Sequence, residues 1–227
     1  DRDTTSRKGT IVRLLKELRN GGIDVLVGTQ MVAKGHDFPN ITLVGIICAD
    51  LSMSFPDFRA SERTFQLLAQ VSGRAGRGDS SGRVILQTYN PEHFSVLAAQ
   101  KQDFKSFYQQ EIGFRSALNY PPFSRIIQLK IAGRDKRNTE ALAGSIGQIC
   151  HQLRGREGHF QNTVEVMGPI EAALTRIAGR YRWQILLKGQ HVKTLHRFTR
   201  RLLAENPAMF NQRGFSVAVD VDPYFMM

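Results

Sequence analysis

Apolar and polar positions alternate in two different ways along this chain. In the first third, Ile11, Leu14, Leu15 and Leu18 recur at helical spacing within residues 10–19, and Gly21-Gly22 ends that helix. The β-branched run after it predicts a short buried strand from Asp24 to Gly28, followed by a loop to Asn40. ITLVGIICAD predicts a second buried strand. GRVILQTYN, bounded by Gly82 and Asn90-Pro91, predicts a third. Between them FRASERTFQLLAQVSGRAG is helical from about Ala60, with Phe65, Leu67, Leu68 and Val71 as core positions and Gly73, Gly76 and Gly78 breaking the helix. Strands and helices alternating over short loops imply an α/β fold with a parallel sheet.

From Pro91 to Asn119 the pattern is helical throughout, with Phe104, Phe107, Ile112, Phe114 and Leu118 recurring and the three phenylalanines read as core. Tyr120-Pro121-Pro122 stops it and marks a domain boundary. The remainder reads β-α-β-β-α-β. RIIQLKIAG is an alternating strand, Lys136 to Leu153 an amphipathic helix, and Thr163 to Met167 a strand closed by Gly168-Pro169. RWQILLKG (182–189) is the third strand, Val192 to Ala204 the second helix, and FSVAVDVDP (215–223) the last strand. That order fits a ferredoxin-like α+β sandwich. The expected organisation is an α/β part over 1–95, a connecting helix over 96–120 and an α+β domain over 121–227.

Of the 227 residues, 41% are hydrophobic and 22% charged, which suits a chain that buries a core and excludes global disorder. No run of apolar residues is long enough for a membrane-spanning helix, and the opening residues carry no apolar signal-peptide region. The chain begins at Asp1 rather than methionine, so a piece of a longer protein is expected. Cys48 and Cys150 are too few for a disulfide framework or a four-cysteine zinc site. Both read as buried reduced thiols of a cytosolic protein. Residues 1–95 carry 12 basic and 10 acidic groups, and residues 96–227 carry 19 and 10, so nearly all of the net charge of +11 lies in the second part. That asymmetry points to a polyanionic partner such as nucleic acid, against the plainer reading of a solvated basic surface.

Two motifs carry chemistry. Gln70-Val71-Ser72-Gly73-Arg74-Ala75-Gly76-Arg77 sets two arginines three apart at a glycine-relaxed helix end. Guanidinium groups so placed can hold phosphate oxygens and neutralise charge on a departing γ-phosphate. Earlier, Gly28-Thr29-Gln30-Met31 and Lys34-Gly35-His36-Asp37 offer backbone N–H groups, a hydroxyl and an ammonium at the end of a predicted strand, which suits the phosphates of a nucleic-acid strand.

GTQMVAKGHDFPNITLV resembles motif V of the superfamily 2 helicases, and QVSGRAGR resembles their motif VI. FPDFRASERTFQLLAQVSGRAGR, YPPF, Gly168-Pro169, RWQILLK and VDVDP narrow the resemblance to the primosomal replication-restart helicases, over essentially the whole chain. The resemblance implies a truncated RecA-like second helicase lobe followed by a ribosomal-protein-like C-terminal domain. It implies a 3′→5′ DNA helicase, driven by ATP with Mg2+, that recognises stalled forks and assembles the primosome. Arg77 then resembles the arginine finger, with Arg74 beside it at the γ-phosphate. Gln70 and Gly73 would shape the nucleotide-facing end, and Thr29, Gln30, Lys34 and Gly35 would touch the single strand or couple it to the nucleotide. The implied partners are branched and single-stranded DNA, single-strand-binding protein and primosome proteins, in the cytoplasm at the nucleoid, with no membrane.

The chain departs from the family in three respects. It has no GxxxxGK[ST] loop, no DExH box and no cysteine-rich zinc segment. ATP and Mg2+ would therefore be shared with a first lobe, zinc is expected only in the missing cysteine-rich segment, and this chain alone is expected not to turn over ATP. In the second domain Arg176, Arg180, Arg182 and Lys188 surround one turn and one strand, with Trp183 among them. The tryptophan either stacks on an unpaired base or is a half-buried strand aromatic. Lys193, Arg197, Arg200 and Arg201 repeat at helical spacing as one basic face, which either binds an anion or is merely solvated. The competing functions are a non-enzymatic docking module for acidic partner tails and an RNA-binding protein.

Overall fold

The computed structural model describes residues 10–28, 41–73 and 82–226. They form two compact units. The first takes the described residues up to Ser54 together with Arg59–Glu111, and the second takes Phe55–Phe58 with the residues from Ile112 onward.

The first unit contains α1 (Thr10–Arg19), β1 (Leu43–Ile46), a 3-10 turn (Leu51–Ser54), α2 (Ala60–Ser72), β2 (Arg83–Leu86), α3 (Phe94–Gln100) and the start of α4 (Phe104–Ala117). On α1, Leu14 and Leu18 are half-buried, while the side chains of Ile11 and Leu15 lie outside the described set. β1 and β2 pair in parallel, from Leu43↔Arg83 to Ile46↔Leu86, with α2 in the crossover that parallel pairing requires. The strand predicted over Asp24 to Gly28 does not form. Its residues are irregular and Val27 is 86% exposed. A β-branched run becomes a strand only with a ladder partner, and no described strand pairs with this one.

Phe65 and Leu68 of α2 pack with Ala49, Val96, Ala98, Ala99 and Phe107 to form the core of this unit. The Phe107 ring stacks on Phe65 at 4.2 Å and on Phe94 at 5.6 Å. Leu67 and Val71 are half-buried. The connecting helix expected over 96–120 is two helices, and the residues of the first belong to this core. The chain breaks at Gln102, which has φ +53, and Asp103 Oδ1 restarts α4 by accepting the Ser106 N–H at 2.9 Å. Phe104 and Phe114, expected as core, are 65% and 55% exposed. Phe104 keeps only a tilted contact with Phe65 at 6.1 Å, and at Phe114 the helix has already left the first unit, whose last residue is Glu111.

The second unit contains β3 (Arg125–Gly133), α5 (Lys136–Arg156), α6 (Gly158–Gln161), β4 (Glu165–Ile177), β5 (Arg180–Gly189), α7 (Val192–Glu205), α8 (Pro207–Phe210) and β6 (Phe215–Val221). They build one antiparallel sheet in the order β4-β5-β3-β6. β3 and β4 run the same way with β5 between them. Ile127, Leu129 and Ile131 of β3 and Trp183, Ile185 and Leu187 of β5 share one face, as alternation along a strand demands. Ile146 and Cys150 of α5 and Phe198 and Leu202 of α7 cover that face, and Phe160 meets Phe198 edge-on at 5.2 Å. Asp135 caps α5 by accepting the Asn138 N–H at 2.8 Å.

The opposite face is covered as well, where simple alternation would leave it wet. Ile126 and Leu186 pack with Met226 against Phe58, Tyr120 and Met167. Gln128 Nε2 donates to Gln184 Oε1 at 2.5 Å and to the Met226 carbonyl at 3.4 Å, so the polar pair buried there is bonded. The strand read as closing at Met167 instead runs through Gly168-Pro169 to Ile177. Its pairing with β5 shifts register between Met167 and Ile170, and the proline, which has no N–H to give the ladder, sits in that irregularity.

Candidate nucleotide- and nucleic-acid-facing site

The C-terminal end of α2 carries the described part of the arginine motif. Thr64 Oγ1, buried mid-helix, donates to the Ala60 carbonyl at 2.9 Å and lies 3.2 Å from Ser52 Oγ, tying α2 to the preceding 3-10 turn. At the other end the Gln102 amide donates to the Ala69 carbonyl at 3.3 Å, which holds the last turn against the α3–α4 connection. Gln70 is exposed on that turn. Gly73 caps the helix, its N–H donating to the Ala69 carbonyl at 3.1 Å. Its φ of −72 is open to any residue, so the turn itself does not demand glycine here. Gln70 and Gly73 thus stand together at one exposed helix end. Arg74, Arg77, Thr29, Gln30, Lys34 and Gly35 lie outside the described residues.

In the second unit the four predicted contact residues separate by strand face. Arg180 and Arg182 are half-buried at the start of β5, and Arg182 Nη1 donates to the Leu174 carbonyl at 3.4 Å. Arg176 lies over the Tyr181 ring at 5.0 Å. Trp183 belongs to the helix-covered face and is 6% exposed, so its ring fills the core instead of offering a platform to a base. Lys188 is on the opposite face, also 6% exposed. Its ammonium is 2.8 Å from Glu165, donates to the Leu118 carbonyl at 3.3 Å and lies 5.0 Å over the Tyr120 ring. A lysine so engaged ties the domain together and leaves no donor for a phosphate. Both placements correct the expectation from sequence, which saw one basic-aromatic run where the pleat sends neighbours to opposite sides.

The basic face of α7 is reduced in the same way. Lys193, Arg197 and Arg200 line an open hollow of about 290 Å3 with His196, a residue that sequence reading did not include. Arg201 turns away to Glu157 and to Glu205, the latter at 2.5 Å. A second polar hollow of about 260 Å3 lies beside Lys188, lined among others by Asn119, Arg154, Asn162 and His191, which come from three separate stretches of chain with no common motif. Among the described residues no three His, Cys, Asp or Glu side chains gather as metal ligands would.

An α/β unit whose helix ends in an arginine motif, joined to a basic α+β unit, defines a nucleic-acid motor's second lobe with an appended domain. The helicase conserved C-terminal domain family matches residues 3–79, and the Primosomal protein N C-terminal domain family matches residues 116–224. Replication restart protein PriA of Bacillus subtilis is 39% identical over 227 residues, covering 100% of this chain and 28% of that protein. Its counterpart in a Synechocystis species is 46% identical over 188 residues (83% of this chain, 22% of that one), and that of Treponema pallidum 42% over 217 residues (96% and 32%). The chain belongs to the PriA family of replication restart proteins and corresponds to the C-terminal part. It spans less than a third of the length of these relatives, at 28%, 22% and 32%.

Proposed function

We propose that this chain is part of an ATP-driven 3′→5′ DNA helicase that recognises stalled forks and restarts replication by primosome assembly. The observation that carries the reading is the QVSGRAGR motif beginning on the last turn of α2, in an α/β unit continuous with a basic α+β unit. The first unit is then a RecA-like second lobe. The second is ferredoxin-like, a reading supported by β5 lying between two strands of common direction.

In this reading Arg77 is the arginine finger, and Arg74 adds a second guanidinium at the γ-phosphate. Gln70 and Gly73 form the nucleotide-facing end, whose exposed amide is open to a ligand. The grip of Gln102 on the last turn holds that end in place, which matters because charge stabilisation in a transition state depends on fixed donors. Thr29, Gln30, Lys34 and Gly35 serve the DNA strand, and Arg180 and Arg182 serve phosphates beside the second unit. MgATP would be held between this helix end and a lobe carrying the phosphate-binding loop and acidic box. Zinc is assigned to no described residue. The site of action is the cytoplasm at the nucleoid. Among the described residues no helix is long and apolar enough to cross a membrane.

Binding of a labelled three-way fork against plain duplex at two salt concentrations tests the reading. A fork preference that survives the higher salt supports it, and equal binding erased by salt overturns it for this part of the protein. In the full-length protein, Arg77→Ala should lower DNA-stimulated ATP turnover by roughly 10³-fold or more.

A second reading rests on the α7 face, where Lys193, Arg197 and Arg200 stand without an ion-pair partner among the described residues. It makes the second unit a dock for the acidic tail of single-strand-binding protein or another primosome protein. Saturable binding of an acidic C-terminal peptide, lost with a scrambled control and in Arg197→Glu, is the expected result.

A further inference from the structure

The chain passes between its two units three times, at Ser54/Phe55, Phe58/Arg59 and Glu111/Ile112. Two domains joined by a linker need only one passage. The extra pair isolates a four-residue segment, Phe55–Phe58, which the second unit takes from the middle of the first.

That segment is held at several points. Asp57 is buried, and its Oδ2 accepts the Met226 N–H at 3.2 Å. The Phe58 ring lies flat on Tyr120, with centroids 5.2 Å apart and planes 9° from parallel. The Arg115 guanidinium sits 5.1 Å from the Phe58 centroid, and the Lys188 ammonium sits 5.0 Å from the Tyr120 centroid. The order is cation, ring, ring, cation, an arrangement that each ring's electron-rich face favours. The stack is braced at both ends. Arg115 donates to the Pro121 carbonyl at 3.3 Å, and Lys188 is paired with Glu165 on β4.

Only Arg59 separates Phe58 from the first residue of α2. With 13 residues that helix is a stiff rod about 20 Å long. Its far end carries Gln70 and Gly73 and leads into Arg74 and Arg77. A displacement imposed at Phe58 therefore enters the helix that presents the arginine motif.

We propose that Phe58 is a positioning residue: stacked between Arg115 and Tyr120, it lets the second unit set where α2 stands, and so links what that unit binds to ATP turnover at the far end of the helix. The proposal rests on the reading of this chain as part of a DNA-stimulated ATPase.

The test is ATP hydrolysis by the full-length protein, with and without saturating forked DNA, in wild type, Phe58→Ala and Phe58→Tyr. Phe58→Ala should lower the DNA-stimulated kcat by ~10-fold, as small misplacements of catalytic groups do, with the basal kcat and the KM for ATP unchanged. Phe58→Tyr keeps the ring stack and should match wild type. A residue that merely supports folding would lower basal and stimulated rates together, so an unaltered ratio in Phe58→Ala overturns the proposal. Arg115→Met removes the outer cation but keeps a long side chain. It should lower the ratio in the same direction, and it decides the matter if Phe58→Ala does not fold, an unaltered ratio again overturning the proposal. Absence of DNA-stimulated hydrolysis in the wild type would remove the motor reading and this link with it, a result distinct from a wild-type ratio retained in the variants.

Discussion

The two units bury their apolar residues with very different completeness. Among the largest fully buried side chains of the described residues, Leu68 alone comes from the first unit, and Phe160, Phe198 and the others come from the second. In the second unit a four-stranded sheet is covered by α5 and α7 on one face and by Met226, Phe58 and Tyr120 on part of the other. In the first, two parallel strands share one helical layer, and Leu43, Ile47 and Ile85 stay exposed, Ile47 at 78%. Parallel strands are stable when both faces are covered. The comparison teaches that the second unit contains what it needs to hold its shape, while the described residues of the first leave apolar strand positions to be covered by something else.

Core truncation gives the largest effect and tests that difference directly. Phe198→Ala should destabilise the second unit by ~3–5 kcal/mol. Trp183, the only tryptophan and a member of the same core, reports it as a lower denaturation midpoint by fluorescence. Leu68→Ala should lower the circular-dichroism midpoint of the first unit, by ~2–5 kcal/mol, and leave the Trp183 transition in place. If both variants move both transitions equally, the two units unfold as one and the comparison breaks.

The next effect lies in alkali and belongs to the second unit. Burial pushes the Cys150 thiol up to about 12, from an ordinary value of 9.0. The native thiol stays protonated where the unfolded one ionises, so its contribution is complete below the unfolded value and is lost as pH rises toward the folded one. Denaturant titrations should show the second unit losing ~1.4 kcal/mol per pH unit in that window from this group, a slope that Cys150→Ala flattens. The same contrast appears in thiol labelling. Half-buried Cys48 in the first unit should react in the native protein, and Cys150 only after denaturation.

The smallest effect lies in acid and belongs to the first unit. His93 caps α3, its Nδ1 accepting the Ser95 N–H at 3.3 Å, and desolvation lowers its pKa below the ordinary 6.5. The neutral ring is the native form, so the cap is present above 6.5 and is lost as pH falls through the lower folded value. The first-unit transition should weaken by up to ~1 kcal/mol there, the typical worth of a cap, and His93→Ala should remove the dependence.

Much of the second unit was legible in the sequence. The β-α-β-β-α-β order, the strand over 182–189 and the helix from Val192 all follow from periodicity, because each element there has one face to bury. The first unit was less legible. Asp24 to Gly28 has the composition of a strand but no described partner, and the break at Gln102 is hidden inside a continuous helical pattern. Of the site, the end of α2 with Gln70 and Gly73 was readable from the motif. The roles of Trp183 and Lys188 were not, because a run of basic and aromatic residues does not say which of them the pleat turns inward. Nor was the Arg115–Phe58–Tyr120–Lys188 stack, whose members come from separate stretches of chain.

Sequence alone therefore determined the local elements, the charge asymmetry, the arginine motif and the family resemblance, all of which depend on residues close together along the chain. Tertiary structure decided that β3 is buried on both faces, that Lys188 is an internal tie, and that Phe55–Phe58 belongs to the second unit. The physical reason is that periodicity records how much of an element seeks cover but not what provides it. The cover is chosen by contacts between distant residues, whose closure entropy and packing are properties of the whole fold.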